Sequence, residues 1–383
     1  MSERVAIVGV GWAGFRPSTP DQSYKEMIYE AAVRAYSDAG VDPRRDVQSF
    51  VTVAEDFHEG TSIFDEYTPD QIGAALKPVH TITGDGLHGL AAAYMLIRTG
   101  QFDLVAVEGH SKASNLLTLP RVTAYAQDPV LNRPLRLNTH FVAGLEMNRY
   151  LYETLTTLEE CAAVVVKNRF NALNNPLASY AADLDLEEVL GGAPLAWPLG
   201  IHDAAQETDG AVVMVLASAE KAEALTDLPV WILGMGWCND TPTLESRPWG
   251  QAAYIQRAAQ MAYRQAGIRS PLQAVDFAEV DDTYAYKELQ ALEDLGVFRP
   301  GQAGELTAEG MTYPDGDFPV NVSGGSLGVG HLLDATGLAR ALEAVLQLRG
   351  QAGARQLEEV EVGLVQSWRG VPTTSGAVAV LAN

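Results

Sequence analysis

Val5-Ala6-Ile7-Val8-Gly9-Val10-Gly11-Trp12 returns later in the chain as Val230-Trp231-Ile232-Leu233-Gly234-Met235-Gly236-Trp237. Each copy is a short apolar run ended by glycine, the pattern of a buried strand. The text after each copy repeats as well. Glu30 to Val41 and Arg257 to Ile268 both carry Ala, Val or Met at three- and four-residue spacing and close on a glycine, as helices do. Phe50-Val51-Thr52-Val53 and Phe277-Ala278-Glu279-Val280 then read as the next strand of each half. The offset between copies is nearly constant over all three elements. Such internal similarity points to a duplicated strand–helix–strand unit, with parallel strands joined by right-handed crossovers.

Outward from this repeat, each half continues into a glycine-rich turn that opens a helix. The first is Thr81 to Gly86, leading into Leu90 to Ile97; the second is Asn321-Val322-Ser323-Gly324-Gly325, continuing through Gly330-His331 into Ala335 to Leu348. Strands are expected at 104–107 and 360–365. From 116 to 200 the text is irregular, with Pro120, Pro129, Pro134 and Asn174-Asn175-Pro176, and helical spacing survives only near Leu158 to Phe170. We read this stretch as an excursion that caps the sheets. The domain expectation is therefore an N-terminal half, 1–115 plus 201–222, a cap at 116–200, and a C-terminal half, 223–383.

Composition narrows the function classes. A chain of 383 residues exceeds one ordinary core, which agrees with the duplication. The formal charge of −23 argues against nucleic acid and anionic membranes as partners, since both require a basic surface. No apolar run reaches the roughly 20 residues of a membrane span. Strand-like sequence from Val5 leaves no room for a secretory signal, so a cytoplasmic location is expected. The two cysteines, Cys161 and Cys238, lie far apart without a CxxC partner, and the histidines show no ligand spacing; no metal is expected.

Several ordered motifs resemble the thiolase superfamily, in particular its sterol-carrier-protein-type and archaeal-type acetyl-CoA acetyltransferase branches. Phe277 to Tyr284 is similar to the family's E-x-H-D-C-F segment. Pro319 to Gly325, then Gly330-His331 and Ala335-Thr336-Gly337, resembles P-V-N-x-S-G-G…G-H-x-x-G-A-T-G, and Asp209-Gly210-Ala211 matches the D-G-A of the last strand of the first half. The resemblance covers nearly the whole chain. It implies an α/β thiolase fold of five layers, αβαβα, built from two duplicated halves with mixed sheets. It further implies a homodimer, a coenzyme A thioester as substrate and no resident cofactor.

Carried over position by position, the resemblance also shows departures. The nucleophilic cysteine of C-A-S-G falls on Thr83, an alcohol that attacks poorly without an adjacent base. The oxyanion-side residue falls on Asp281, a carboxylate where a donor is expected. The late family segment falls on Val371 to Gly376, with no second cysteine. His331 is kept and is the expected general base or enolate donor. Tyr284 is a candidate acid/base group, although both it and Tyr286 could be packing. Asp85 and His88, beside Thr83, are expected to line the substrate site or, for Asp85, to cap a helix. Asn321, Gly324, Gly325 and Gly330 are expected around the substrate.

A site that loses the cysteine but keeps histidine suits carbon–carbon cleavage of a β-hydroxyacyl-CoA by retro-aldol reaction, or the reverse. That chemistry needs a base and an enolate donor but no acyl-enzyme. The pattern resembles the lipid-transfer-protein-like aldolases, which work with a small OB-fold, zinc-ribbon partner. Two other readings stay open on sequence alone: a non-catalytic acyl-CoA-binding or scaffold subunit, and an acetyl-CoA acetyltransferase using Thr83.

Overall fold

In the computed structural model, which describes residues 4–241, 243–370 and 374–383, the two matching runs become neighbouring strands at the middle of the molecule. The first half runs β1 (Val5–Arg16), α1 (Tyr24–Ala39), β2 (Ser49–Val53), β3 (Val79–Ile82), α2 (Gly86–Arg98), β4 (Leu104–Ser111), α3 (Thr139–Thr154), α4 (Leu158–Asn171) and β5 (Asp209–Ser218). The second runs β6 (Val230–Asn239), α5 (Ala253–Ala266), β7 (Phe277–Glu279), α6 (Ala285–Asp294), α7 (Thr336–Leu348), β8 (Val362–Trp368) and β9 (Ser375–Ala382).

The glycines of the repeated run have a steric cause. A Cβ at Gly9 would lie 2.4 Å from the carbonyl oxygen of Ala35, and one at Gly11 would lie 2.2 Å from that of Ala31. The second half repeats the arrangement, with Gly234 at 2.1 Å from Ala262 O and Gly236 at 2.0 Å from Ala258 O. In each half a helix backbone rests directly on a strand, so glycine below and alanine above are both required.

Strand order is β3-β2-β4-β5-β1-β6-β9-β8-β7. Within the first half β1–β5 and β5–β4 are antiparallel, while β4–β2 and β2–β3 are parallel. The second half mirrors this: β6–β9 and β9–β8 are antiparallel, β8–β7 is parallel, and Val320 bridges Ala278 in parallel where β3 has its counterpart. The mixed sheets are as expected, but two details differ. β1 and β2 are not direct neighbours, because β4 and β5 insert between them. The two half-sheets also join, through Ala6↔Trp231 and Ile7↔Val230, into one nine-stranded ribbon.

Layering follows from alternation along the strands. On β5, Val212, Met214 and Leu216 pack inward with Leu87, Leu90 and Tyr94 of α2 and Leu338, Leu342 and Val345 of α7, whereas Ala211, Val213 and Val215 pack outward with Ala31 and Ala35 of α1. On β9, Ala377 and Ala379 face the same central layer, and Val378 and Val380 face Ala258 and Ala262 of α5. The order is α1, first half-sheet, α2 with α7, second half-sheet, α5, which is the five-layered thiolase arrangement. Each fully buried Val or Leu here contributes about 1.5–3 kcal/mol.

The stretch from 116 to 200 is more helical than its sequence implied. α4 occupies the expected place, while α3 had been read as irregular. Both pack on α6 and the outer face of the second half. Among the described residues no helix is long and apolar enough to cross a membrane.

Candidate active site

Parallel strands deliver their carboxyl ends to one edge of a sheet, where ligands of α/β folds collect. Segments following β2, β7 and β8 meet there with the chain entering β5, the start of α3 and the short helical segment at 119–126, and enclose a cleft of about 750 Å³ counted to its open mouth. Its polar lining comes from His58, Thr123, Thr139, His140, Glu207, Thr283, Tyr284, His331 and Arg369, and its apolar walls include Phe57, Leu119, Pro120 and Leu333.

His331 reaches the cleft because Gly330, at φ 109°, turns the chain where a Cβ would meet Thr208 Oγ1 at 1.8 Å. The backbone is then pinned: His331 N–H donates to Gln206 O at 2.8 Å, and Thr208 N–H donates to His331 O at 2.9 Å. The imidazole has no hydrogen-bond partner among the described residues. Burial pulls its pKa down to about 4, with Arg340 and His58 acting in the same direction and Asp281 opposing. At neutral pH it is an uncharged ring on the cleft wall.

Tyr284 follows β7, and its Oη lies 3.1 Å from His140 Nδ1 at the start of α3. Asn138 caps that helix through the His140 N–H, which fixes the ring's approach. Burial, then Glu207 and Asp281, raise the Tyr284 pKa, and burial lowers that of His140. The phenol therefore keeps its proton and acts as a donor.

A third group comes from the helical turn Asp56–Glu59. His58 Nδ1 lies 2.8 Å from Asp334 Oδ1, and Asp334 Oδ2 accepts Glu55 N–H at 2.7 Å. The Glu55 carboxylate in turn holds Arg369 through both its Nε and its Nη2, the latter at 2.8 Å. Burial works against charge on His58, but Asp334, with Glu55 and Glu59, outweighs it and raises the pKa.

The other residues singled out in the sequence lie elsewhere. Thr83 is exposed at the end of β3 and is not part of the cleft wall. Asp85 caps α2 by accepting Leu87 N–H and also accepts Gly337 N–H, joining the starts of α2 and α7. Burial raises its pKa to about 6. The His88 ring is buried with neither nitrogen partnered among the described residues, and burial, then Arg369, lower it to about 4. Asn321 is a buried latch that accepts Val280 N–H and donates to Glu288. Gly324 and Gly325, at φ 99° and 56°, form the turn beneath Asp282 and do not line the cleft.

Asp281 requires a correction. It was expected on the oxyanion side of the pocket, yet β7 ends at Glu279 and the Asp281 carboxylate, like that of Asp282, turns to Arg340 of α7. Arg340 lies 2.9 Å from Asp281 and 3.6 Å from Asp282, and also donates to Ser367 and Ser326. Burial pushes the Asp281 pKa up, but Arg340 and the Thr283 N–H hold it below the usual range. Asp282 caps the turn Gly325–Val329 through Ser326 and Leu327 N–H. Neither aspartate lines the cleft, and neither does either cysteine: Cys161 is fully buried in α4 and Cys238 is half-buried on β6. Of the late segment, residues 371–373 lie outside the described residues.

Sequence reading missed His58, Asp334, Arg369, His140 and Arg340. Only Arg340 left a signal, a cation inside the otherwise apolar Leu338-Ala339-Arg340-Ala341-Leu342, which has to find an anion when buried.

Two mirrored α/β halves around a shared helical layer, with a histidine- and tyrosine-lined cleft at the strand ends, define a thiolase-fold protein. Residues 238–383 match a family model described as thiolase C-terminal domain-like. The acetyl-CoA acetyltransferase of Methanothermobacter thermautotrophicus is 32% identical over 98% of this chain and 98% of its own. A 17-hydroxy-3-oxo-4-pregnene-20-carboxyl-CoA lyase of Mycobacterium tuberculosis is 29% identical, again over 98% of both. The solved structure of an Ltp2-ChsH2(DUF35) aldolase superposes with a TM-score of 0.85 at 26% identity, covering 99% of this chain and 97% of that one. The chain belongs to the thiolase superfamily.

Proposed function

We propose that this chain is an acyl-CoA lyase that cleaves or forms a carbon–carbon bond beside the thioester by aldol chemistry, without an acyl-cysteine. The observation that carries this reading is the uncharged His331 sharing one cleft with the Tyr284–His140 pair, with neither cysteine in the wall. In the cleavage direction His331 takes the β-hydroxyl proton, the C–O bond becomes a carbonyl, and the Cα–Cβ electron pair passes to the thioester as an enolate. The Tyr284 hydroxyl, which keeps its proton, donates to the developing enolate oxygen. Phe57, Leu119 and Leu333 give the acyl part an apolar wall.

The names of the lyase and aldolase relatives support the reaction class, and the paired name of the structural neighbour supports a partner subunit, which we propose is the small OB-fold, zinc-ribbon protein that the family resemblance implies. A homodimer is part of the proposal. The acetyltransferase relative favours thiolysis as the second reading.

The test is incubation of the purified chain, with and without such a partner, with 3-hydroxyacyl-CoA and 3-ketoacyl-CoA. Release of an aldehyde or ketone plus a shorter acyl-CoA is expected; CoA-dependent release of two thioesters would overturn the lyase in favour of thiolysis. His331→Ala is expected to lower cleavage by about 10²-fold or more. Unchanged turnover removes His331 from the mechanism.

A further inference from the structure

Retro-aldol cleavage needs two proton transfers: one leaves the hydroxyl, and one arrives at Cα of the enolate. His331 serves the first. The second needs a proton-bearing group that faces the same space; Tyr284 holds its proton against the enolate oxygen, burial lowers the pKa of His331 and His140, and the carboxylates beside His58 raise its own. We infer that His58, oriented by Asp334, is a second catalytic histidine that delivers the proton to Cα. The inference rests on the lyase reading and deepens it.

Three features of the geometry support this. The Nδ1 of His58 is taken by Asp334 at 2.8 Å, which leaves Nε2 as the nitrogen available to the cleft that the ring lines. The side chain is 10% exposed, so it is reachable yet held. Its carboxylate partner is itself fixed by the Glu55 N–H, and the Phe57 ring meets the imidazole edge-on at 4.5 Å. Asp334 is thus a positioning residue that sets the tautomer and favours the imidazolium.

The charged groups around His58 are Asp334, Glu55 and Glu59, with Arg369 beyond Glu55 and His331 across the cleft. The carboxylates raise the His58 pKa while burial lowers that of His331, so one ring tends to hold a proton and the other tends to lack one. Environments that push two titratable groups apart in this way separate an acid from a base. In the step itself the Nε2–H bond breaks, the enolate electron pair forms the new Cα–H bond, and His58 ends neutral. His331 ends protonated, so the substrate has lost one proton and gained one. The two rings regain their starting states by exchange with water after product release.

The experiment uses the full chain with a 3-hydroxyacyl-CoA for cleavage, and in D₂O with the product acyl-CoA, reading α-hydrogen exchange by mass spectrometry. His58→Gln is expected to lose about 10²-fold in both reactions. Asp334→Asn is expected to move the alkaline limb of kcat/KM down by roughly one pH unit, because loss of the carboxylate lowers the pKa of the required imidazolium. If the parent cleaves and His58→Gln cleaves as fast, the His58 assignment falls while the lyase reading stands. If the parent, with and without the partner, neither cleaves nor exchanges, the lyase reading falls and takes the assignment with it. Should His58→Gln fail to fold, an unshifted limb in Asp334→Asn overturns the assignment.

Discussion

Arg340 determines what Asp281 and Asp282 can do. A buried guanidinium within 2.9 Å of one carboxylate and 3.6 Å of the other leaves neither free to act as a base in the cleft. Removing one partner of a buried ion pair strands the other in a low-dielectric interior, at a cost of about 3–5 kcal/mol. Arg340→Met is therefore expected to lose stability of that order in urea denaturation, and a variant as stable as the parent would show that the network has relaxed without it. Thr83 lies at the opposite extreme. It is exposed and outside the cleft wall, so Thr83→Val is expected to leave cleavage within roughly twofold of the parent. A collapse of activity would return the alcohol to the mechanism. His331 could be found from sequence because its glycine turn is local. His58 could not, because its partner Asp334 is 276 positions away and only the fold brings them together.

The elements were most legible where backbone meets backbone. Gly9 and Gly11 on β1, and Gly234 and Gly236 on β6, leave a visible spacing because nothing larger fits beneath Ala31, Ala35, Ala258 and Ala262. Gly236→Ala would set a methyl carbon 2.0 Å from the Ala258 carbonyl oxygen, which forces α5 off the strand. A loss of about 1–3 kcal/mol or more is expected in thermal or urea unfolding; a neutral result would mean that α5 is not seated by this contact. α3 was illegible for a related reason. Its buried positions Val142, Ala143, Met147 and Tyr150 share one face, but Phe141, Leu145 and Tyr152 are apolar and exposed, which blurs the stripe. Gly144 in its middle reads as a breaker, yet a Cβ there would lie 2.5 Å from Ala196 O, so it too marks a close approach. The helical turn Asp56–Glu59 is held from outside, by His110 between Glu59 at 3.2 Å and Glu108 at 3.4 Å, with its ring stacked on Tyr24 and Phe64. No local pattern in Asp-Phe-His-Glu encodes that support.

At the scale of the whole molecule, stability against acid is a contest between buried groups of opposite sign. Burial raises Asp85 and Asp282 to about 6 and also raises Glu279, so the folded chain binds these protons before the unfolded chain does and gains stability as pH falls. His88 and His331 work the other way. Their folded pKa of about 4 lies below the unfolded value near 6.5, so below pH 6.5 the unfolded chain takes up protons that the fold refuses. Their contribution is fully present above pH 6.5 and is lost as pH falls toward 4, at about 1.4 kcal/mol per pH unit for each ring, with a ceiling of about 3 kcal/mol. His88 isolates this effect, because its ring is buried, makes no hydrogen bond among the described residues and is not part of the cleft wall. His88→Leu keeps the apolar fill and removes the titration. Measured against the parent in urea at a series of pH values, the variant's relative stability is expected to climb steadily from pH 6.5 to 4.5 and to be flat from 6.5 to 8. The flat upper range separates titration from packing, which would shift both ranges equally. A difference independent of pH would mean that His88 takes up its proton at the same pH in the fold as in the unfolded chain, and that the central layer admits the charge beside Arg369 without penalty.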